Sequence, residues 1–147
     1  MKMRKGFTLV ELLIVIVIIG ILAAAMLLSS GSATASADAA AAVSEMRALK
    51  AAIILYISNA GGELTAAEQA NDKLIDLVSA DMENPQKIVD KYSSTLGNIT
   101  VGGLTRQGVT ISVKSSKITA EALEKLKKNK ATTDNGTMEF PVQVTTK

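Results

Sequence analysis

From Leu12 to Leu28 the chain holds nothing but apolar residues and Gly20. Extended back to Phe7, the run is interrupted only by Thr8 and Glu11. As a helix, Phe7 to Leu28 would be about 33 Å long at about 1.5 Å per residue. That length crosses the hydrocarbon core of a bilayer. A short basic leader with Lys2, Arg4 and Lys5 precedes the run. Such a leader is expected to stay on the cytoplasmic side.

Glu11 does not suit a plain anchor. A carboxylate in a membrane segment costs several kcal/mol unless it is partnered or protonated. Proteolysis would create the nearest cation. A cut between Gly6 and Phe7 removes the three basic residues and leaves an ammonium on Phe7. In one helix that ammonium and Glu11 lie on the same side, about one turn apart. The carboxylate is also free to meet the ammonium of a neighbouring subunit.

The basic leader, Gly6, Phe7, Thr8-Leu9 and Glu11, followed by Ile18-Ile19-Gly20-Ile21-Leu22-Ala23, resemble the class III signal and first helix of type IV pilins and pseudopilins. The resemblance covers about the first thirty residues closely and the remainder only in architecture. It implies cleavage after Gly6 by a prepilin peptidase, N-methylation of Phe7, and assembly through Glu11 and Phe7. It further implies a homo-oligomeric helical filament raised by a pilus assembly machinery. Before assembly the chain would be a single-pass membrane protein in lipid, and afterwards part of a fimbrium on the bacterial surface. Adhesion, twitching motility and DNA uptake are the cellular roles such filaments serve. Many of these pilins carry a proline where Leu28 stands here. Ser29-Ser30-Gly31-Ser32 would loosen the helix instead, since glycine costs about 1 kcal/mol in a helix interior.

Composition narrows the function classes. Of 16 basic side chains, three belong to the leader, so 13 remain against 14 acidic ones. The apparent basicity is therefore mostly signal and gives no support for a direct nucleic-acid ligand. Cysteine, histidine and tryptophan are absent. No disulfide can hold an exported domain, although many related pilins use one. The commonest general base and metal ligand is missing as well. No glycine-rich phosphate loop or activated nucleophile stands out, so no catalytic residue, cofactor or metal is expected. Near the C-terminus only Asp134, Asn135 and Glu139 offer oxygens, too few for a calcium loop.

The expected fold is α+β and pilin-like. A long N-terminal helix, half transmembrane and half amphipathic, packs on a small antiparallel sheet. The expected division is residues 1–6 as leader, 7–31 as transmembrane and fibre-core helix, and 32–147 as globular head. Gly31 to Ala42 should continue the helix, and Val43, Met46, Leu49, Ile53, Ile57 and Ala60 form its core-facing stripe. Asn59-Ala60-Gly61-Gly62 should end it, giving a rod of about 80 Å.

Thr65-Ala-Ala-Glu68 is a capping box for a helix to about Val78. Asn84-Pro85 should start a short turn through Ile88, Val89 and Tyr92. Alternation at Ile99, Val101 and Gly103, and at Val109, Ile111 and Val113, predicts a hairpin joined by Leu104 to Gly108, with Gly102-Gly103 a strand irregularity. Thr119 should cap a helix to about Asn129, with Glu121–Lys125 and Glu124–Lys128 pairs. After a turn at Asp134-Asn135-Gly136, Met138, Phe140, Val142 and Val144 predict a final strand, placed at an edge by Pro141.

The first functional expectation is a structural pilus subunit. The alternative is a pseudopilin of a type II secretion or competence machine. A soluble exported binding domain is a third, since Ala33-Thr-Ala35 and Ala35-Ser-Ala37 match a signal-peptidase pattern.

Overall fold

The computed structural model describes residues 7–101 and 103–146. The chain divides into two compact units, Met1–Thr34 and Ala35–Lys147. Helix α1, Leu9–Asn59, contributes to both. Helical backbone is unbroken through Ser29-Ser30-Gly31-Ser32 and continues through Ala42, as expected for Gly31 to Ala42. Helix α1 ends where two glycines take up left-handed backbone, Gly61 at φ 67° and Gly62 at φ 80°. The Gly62 amide donates to the Ile57 carbonyl at 2.9 Å, satisfying one of the last free acceptors.

In the second unit the buried stripe of α1 runs through Ala39, Ala42, Val43, Met46, Leu49, Ile53 and Ile57. It starts earlier than the larger apolar residues suggest, with Ala35 already buried. Ala60, expected in the stripe, is exposed, because the helix has ended before it. Opposite lie Tyr92, Val109, Ile111, Met138 and Phe140 of the sheet. Burial of a side chain such as Leu49 or Ile53 stabilises the unit by about 1.5–3 kcal/mol.

The sheet is antiparallel, with Tyr92–Val101 (β2) and Met138–Pro141 (β4) on either side of Leu104–Val113 (β3). Strands β2, Tyr92–Val101, and β3, Leu104–Val113, form a hairpin with Val101 opposite Leu104. The connection is therefore two residues, and Leu104 to Gly108 belongs to β3. Gly103 stands at φ 79°. Positive φ is what a tight hairpin turn needs, so this glycine serves the turn and not a strand irregularity. Gly102 lies outside the described residues. Strand β2 also begins earlier than expected, at Tyr92, which leaves the preceding helix.

Strand β4, Met138–Pro141, lies at the sheet edge as Pro141 requires. Its register sets Gly108 opposite Pro141. A Cβ on Gly108 would stand 2.7 Å from the Phe140 carbonyl oxygen and 2.4 Å from the Ile99 Cδ1. Only glycine lets the two strands and Ile99 come this close. The expected long final strand stops here. The Val142 amide donates to the Gln107 carbonyl at 3.0 Å. Strand β5, Thr145–Thr146, then pairs in parallel with β1, Glu63–Leu64.

The Thr65–Glu68 box forms, with the Thr65 amide donating to Glu68 Oε2 at 2.7 Å. The short helix expected to follow it directly starts only later. Turns lead instead to α2, Lys73–Ser79, which begins after Asp72 at φ 65°. Asp72 is fixed by β2: its amide donates to the Ser94 carbonyl, and its carboxylate accepts from the Ser94 amide, both at 2.9 Å. That tie diverts the chain before helix can form. Helix α3, Pro85–Lys91, has proline in its first turn as expected. Helix α4, Ala120–Lys127, is capped by Thr119, which accepts from the Ala122 amide at 3.2 Å. Lys125 pairs with Glu121 at 3.5 Å, but Glu124 takes Lys127 at 2.8 Å instead of Lys128.

Candidate assembly and processing segment

The first turn of α1 is built by Thr8 and Glu11. The Glu11 amide donates to Thr8 Oγ1 at 3.3 Å. In return Glu11 Oε2 accepts from the Thr8 amide at 2.8 Å and from Thr8 Oγ1 at 2.7 Å. This is a reciprocal capping box, which supplies partners for two backbone amides that a helix start leaves free. A carboxylate there also meets the positive end of the helix dipole. Both bonds to the carboxylate reach Oε2. Among the described residues, nothing donates to Oε1.

The box therefore gives Glu11 a local reason to exist beside any cation. Its signal stands in the sequence as Thr-x-x-Glu, the same spacing as Thr65 and Glu68. Attention to the charge alone misses it, and with it the part played by Thr8.

Phe7 is non-helical and 83% exposed. It forms no bond with Glu11 here, where Phe7 is an internal residue and carries no ammonium. Gly6, on the other side of the expected cut, lies outside the described residues. Large apolar side chains from Leu9 to Leu27 are between 49% and 80% exposed. That is a contiguous apolar surface far beyond what a soluble monomer tolerates. It needs lipid or other apolar helices around it. Helix α1 is long and apolar enough to cross a membrane.

The second unit carries an open groove of about 1050 Å³ near Gly61, Gly62, Arg106, Gln107 and Pro141. A smaller one of about 450 Å³ lies by Asp38, Glu45, Lys87, Lys91 and Lys117. Neither brings a nucleophile and a base together in a closed site. Among the described residues, no three His, Cys, Asp or Glu side chains gather as a metal site would need. What the geometry offers is a helix with one anchored carboxylate inside an unpartnered apolar surface.

Comparison with curated proteins and with solved structures finds no significant match to the chain. Residues 1–27 match the family described as the prokaryotic N-terminal methylation motif. The order from basic leader to Glu11, on a helix that can span a bilayer, is therefore the class III prepilin signal of type IV pilins and pseudopilins.

Proposed function

We propose that the chain is the structural subunit of a type IV pilus. Prepilin peptidase cuts after Gly6, Phe7 becomes the N-methylated terminus, and residues 7–31 bundle into the filament core. Residues 32–147 form the head. Before assembly the subunit is held in the membrane by the apolar part of α1, and afterwards it is extracellular. The role is structural and not enzymatic. One observation carries this reading: Glu11 sits fixed at the helix start, amid largely exposed apolar side chains, with Oε1 accepting from none of the described residues. Apolar packing has little direction, so it bundles helices without choosing their axial register. A charge pair does have direction, and the Phe7 ammonium of an adjacent subunit would supply the cation.

Isolation of surface filaments and mass spectrometry of their main protein test this. The expected result is this chain beginning at N-methylated Phe7. A mature chain beginning at Asp38 would transfer the case to an ordinary signal peptide. A correctly processed chain found only in the cell envelope, with no surface filament, would favour a pseudopilin.

A further inference from the structure

Within the second unit three large apolar side chains among the described residues stay exposed: Ile54, Leu55 and Leu104. Two of them share one helix face. Arg47, Ala51, Ile54 and Leu55 follow one another at the four-, seven- and eight-residue spacing that lines up along a helix. Arg47 is exposed and has no carboxylate partner among the described residues. The face thus offers an apolar pair with an unpaired guanidinium two turns away.

The same unit carries a candidate counterpart. Several of its carboxylates are engaged: Glu45, Asp76, Glu121 and Glu124 pair with lysines, and Glu68, Asp72 and Asp90 accept hydrogen bonds. Asp81 and Glu83 are not, and both are exposed. They flank Met82, which packs against the core and whose amide donates to the Ser79 carbonyl at 2.9 Å. Pro85 fixes the chain just beyond. The loop is thus held, with an exposed carboxylate on either side of Met82. Among the described residues this is the one place where two unpaired acids stand so close in the chain.

We propose that the Asp81–Met82–Glu83 loop of one copy docks on the Arg47, Ile54 and Leu55 face of the next. The inference rests on the polymer reading above and adds a contact between heads to the contact between apolar helices. The two patches differ, so the contact is heterologous and repeats head to tail, as an open helical polymer requires. The apolar pair supplies area and the charges supply register and partner choice.

Charge exchange in the full-length chain tests it, with surface polymer and processed subunit both quantified. Arg47→Glu is expected to lower surface polymer about tenfold while leaving processing unchanged. Adding Asp81→Lys and Glu83→Lys to that variant is expected to restore polymer to within about threefold of the unaltered chain. A combined variant no better than Arg47→Glu alone overturns the docking. Because the chain has no cysteine, a second measurement is clean. Arg47→Cys with Glu83→Cys, treated with a short bismaleimide on intact cells, is expected to give a ladder of linked subunits, and either change alone none. Abundant polymer without that ladder also overturns the docking. Absence of polymer from the unaltered chain overturns the filament reading itself, and this inference with it.

Discussion

Glu11 caps its own helix and, on the proposed function, also pairs with a neighbouring subunit. Oε2 is committed to Thr8, which starts the helix; Oε1 accepts from none of the described residues. The two roles separate by substitution, because glutamine completes a capping box as glutamate does but carries no charge. Glu11→Gln is expected to be cut after Gly6 and to enter the membrane normally, yet to yield little or no filament. In the fibre core it would leave the Phe7 ammonium without a counter-charge, at a cost of roughly 3–5 kcal/mol. Thr8→Ala removes the box and keeps the charge, so it should cost only about 1 kcal/mol and leave filaments reduced in number. Filament yield from Glu11→Gln equal to that of the unaltered chain would assign Glu11 to the cap alone. Glu11 was legible in the sequence as the odd residue of the apolar run. What was not legible was that Thr8 holds the carboxylate, since a charge in an apolar run draws attention to a distant cation before a neighbour three residues away.

At the scale of elements, α1 is tied to α3 and β2 by one carboxylate. Glu45 Oε2 accepts from Lys91 Nζ and from the Tyr92 hydroxyl, each at 2.5 Å. Burial pushes the Glu45 carboxyl up, but the bonds from Lys91 and Tyr92, with the charges of Lys91 and Lys87, outweigh it and hold the group below its ordinary value. Burial foremost, then the bond to Glu45 and its charge, push the Tyr92 hydroxyl up. Because the folded carboxyl is the stronger acid, its contribution to stability is present above the ordinary glutamate value of 4.5 and is lost as pH falls through the lowered one. Glu45→Gln is expected to destabilise the full chain in detergent by about 1–3 kcal/mol at pH 7. The difference should shrink below about pH 4. Urea unfolding of both proteins across that range checks it, and a difference independent of pH would assign the loss to packing.

This tie, and the start of β2 at Tyr92, escaped the sequence because Ser93, Ser94, Thr95 and Gly97 carry no apolar alternation. Ser94 is buried all the same. The hairpin itself was legible, while its turn was misplaced because two glycines fit a bulge as well as a turn. The final strand broke after Pro141 because the chain there found Gln107 and then β1 as partners, neither of which periodicity in one strand reveals. The Thr65–Glu68 box, though not the helix expected directly behind it, the cap at Thr119 and the helix end at Gly61-Gly62 were legible, since each depends on local chemistry.

In the whole molecule, every residue buried among the described ones lies at or after Ala35. Among the described residues, removing Met1 to Ser32 therefore takes away no buried side chain and no strand. The shortened α1 keeps Ala35, Ala39, Ala42, Val43, Met46, Leu49, Ile53 and Ile57, the whole of its buried stripe. Its new start is also well supplied: Thr34 stands where a cap belongs, and Asp38 falls in the first turns, where a negative charge is favoured. What the deletion removes is the surface that demands lipid or other helices. The truncated chain is expected to be soluble without detergent, monomeric in sedimentation, helical by circular dichroism, and to unfold in one cooperative step in urea. Core substitution in it should then behave as in any small domain, with Leu49→Ala costing about 2–5 kcal/mol. Precipitation or an unfolded spectrum would mean that the apolar run takes part in folding the head. Filaments formed by the truncated chain alone would mean that the heads, and not the apolar helices, drive assembly.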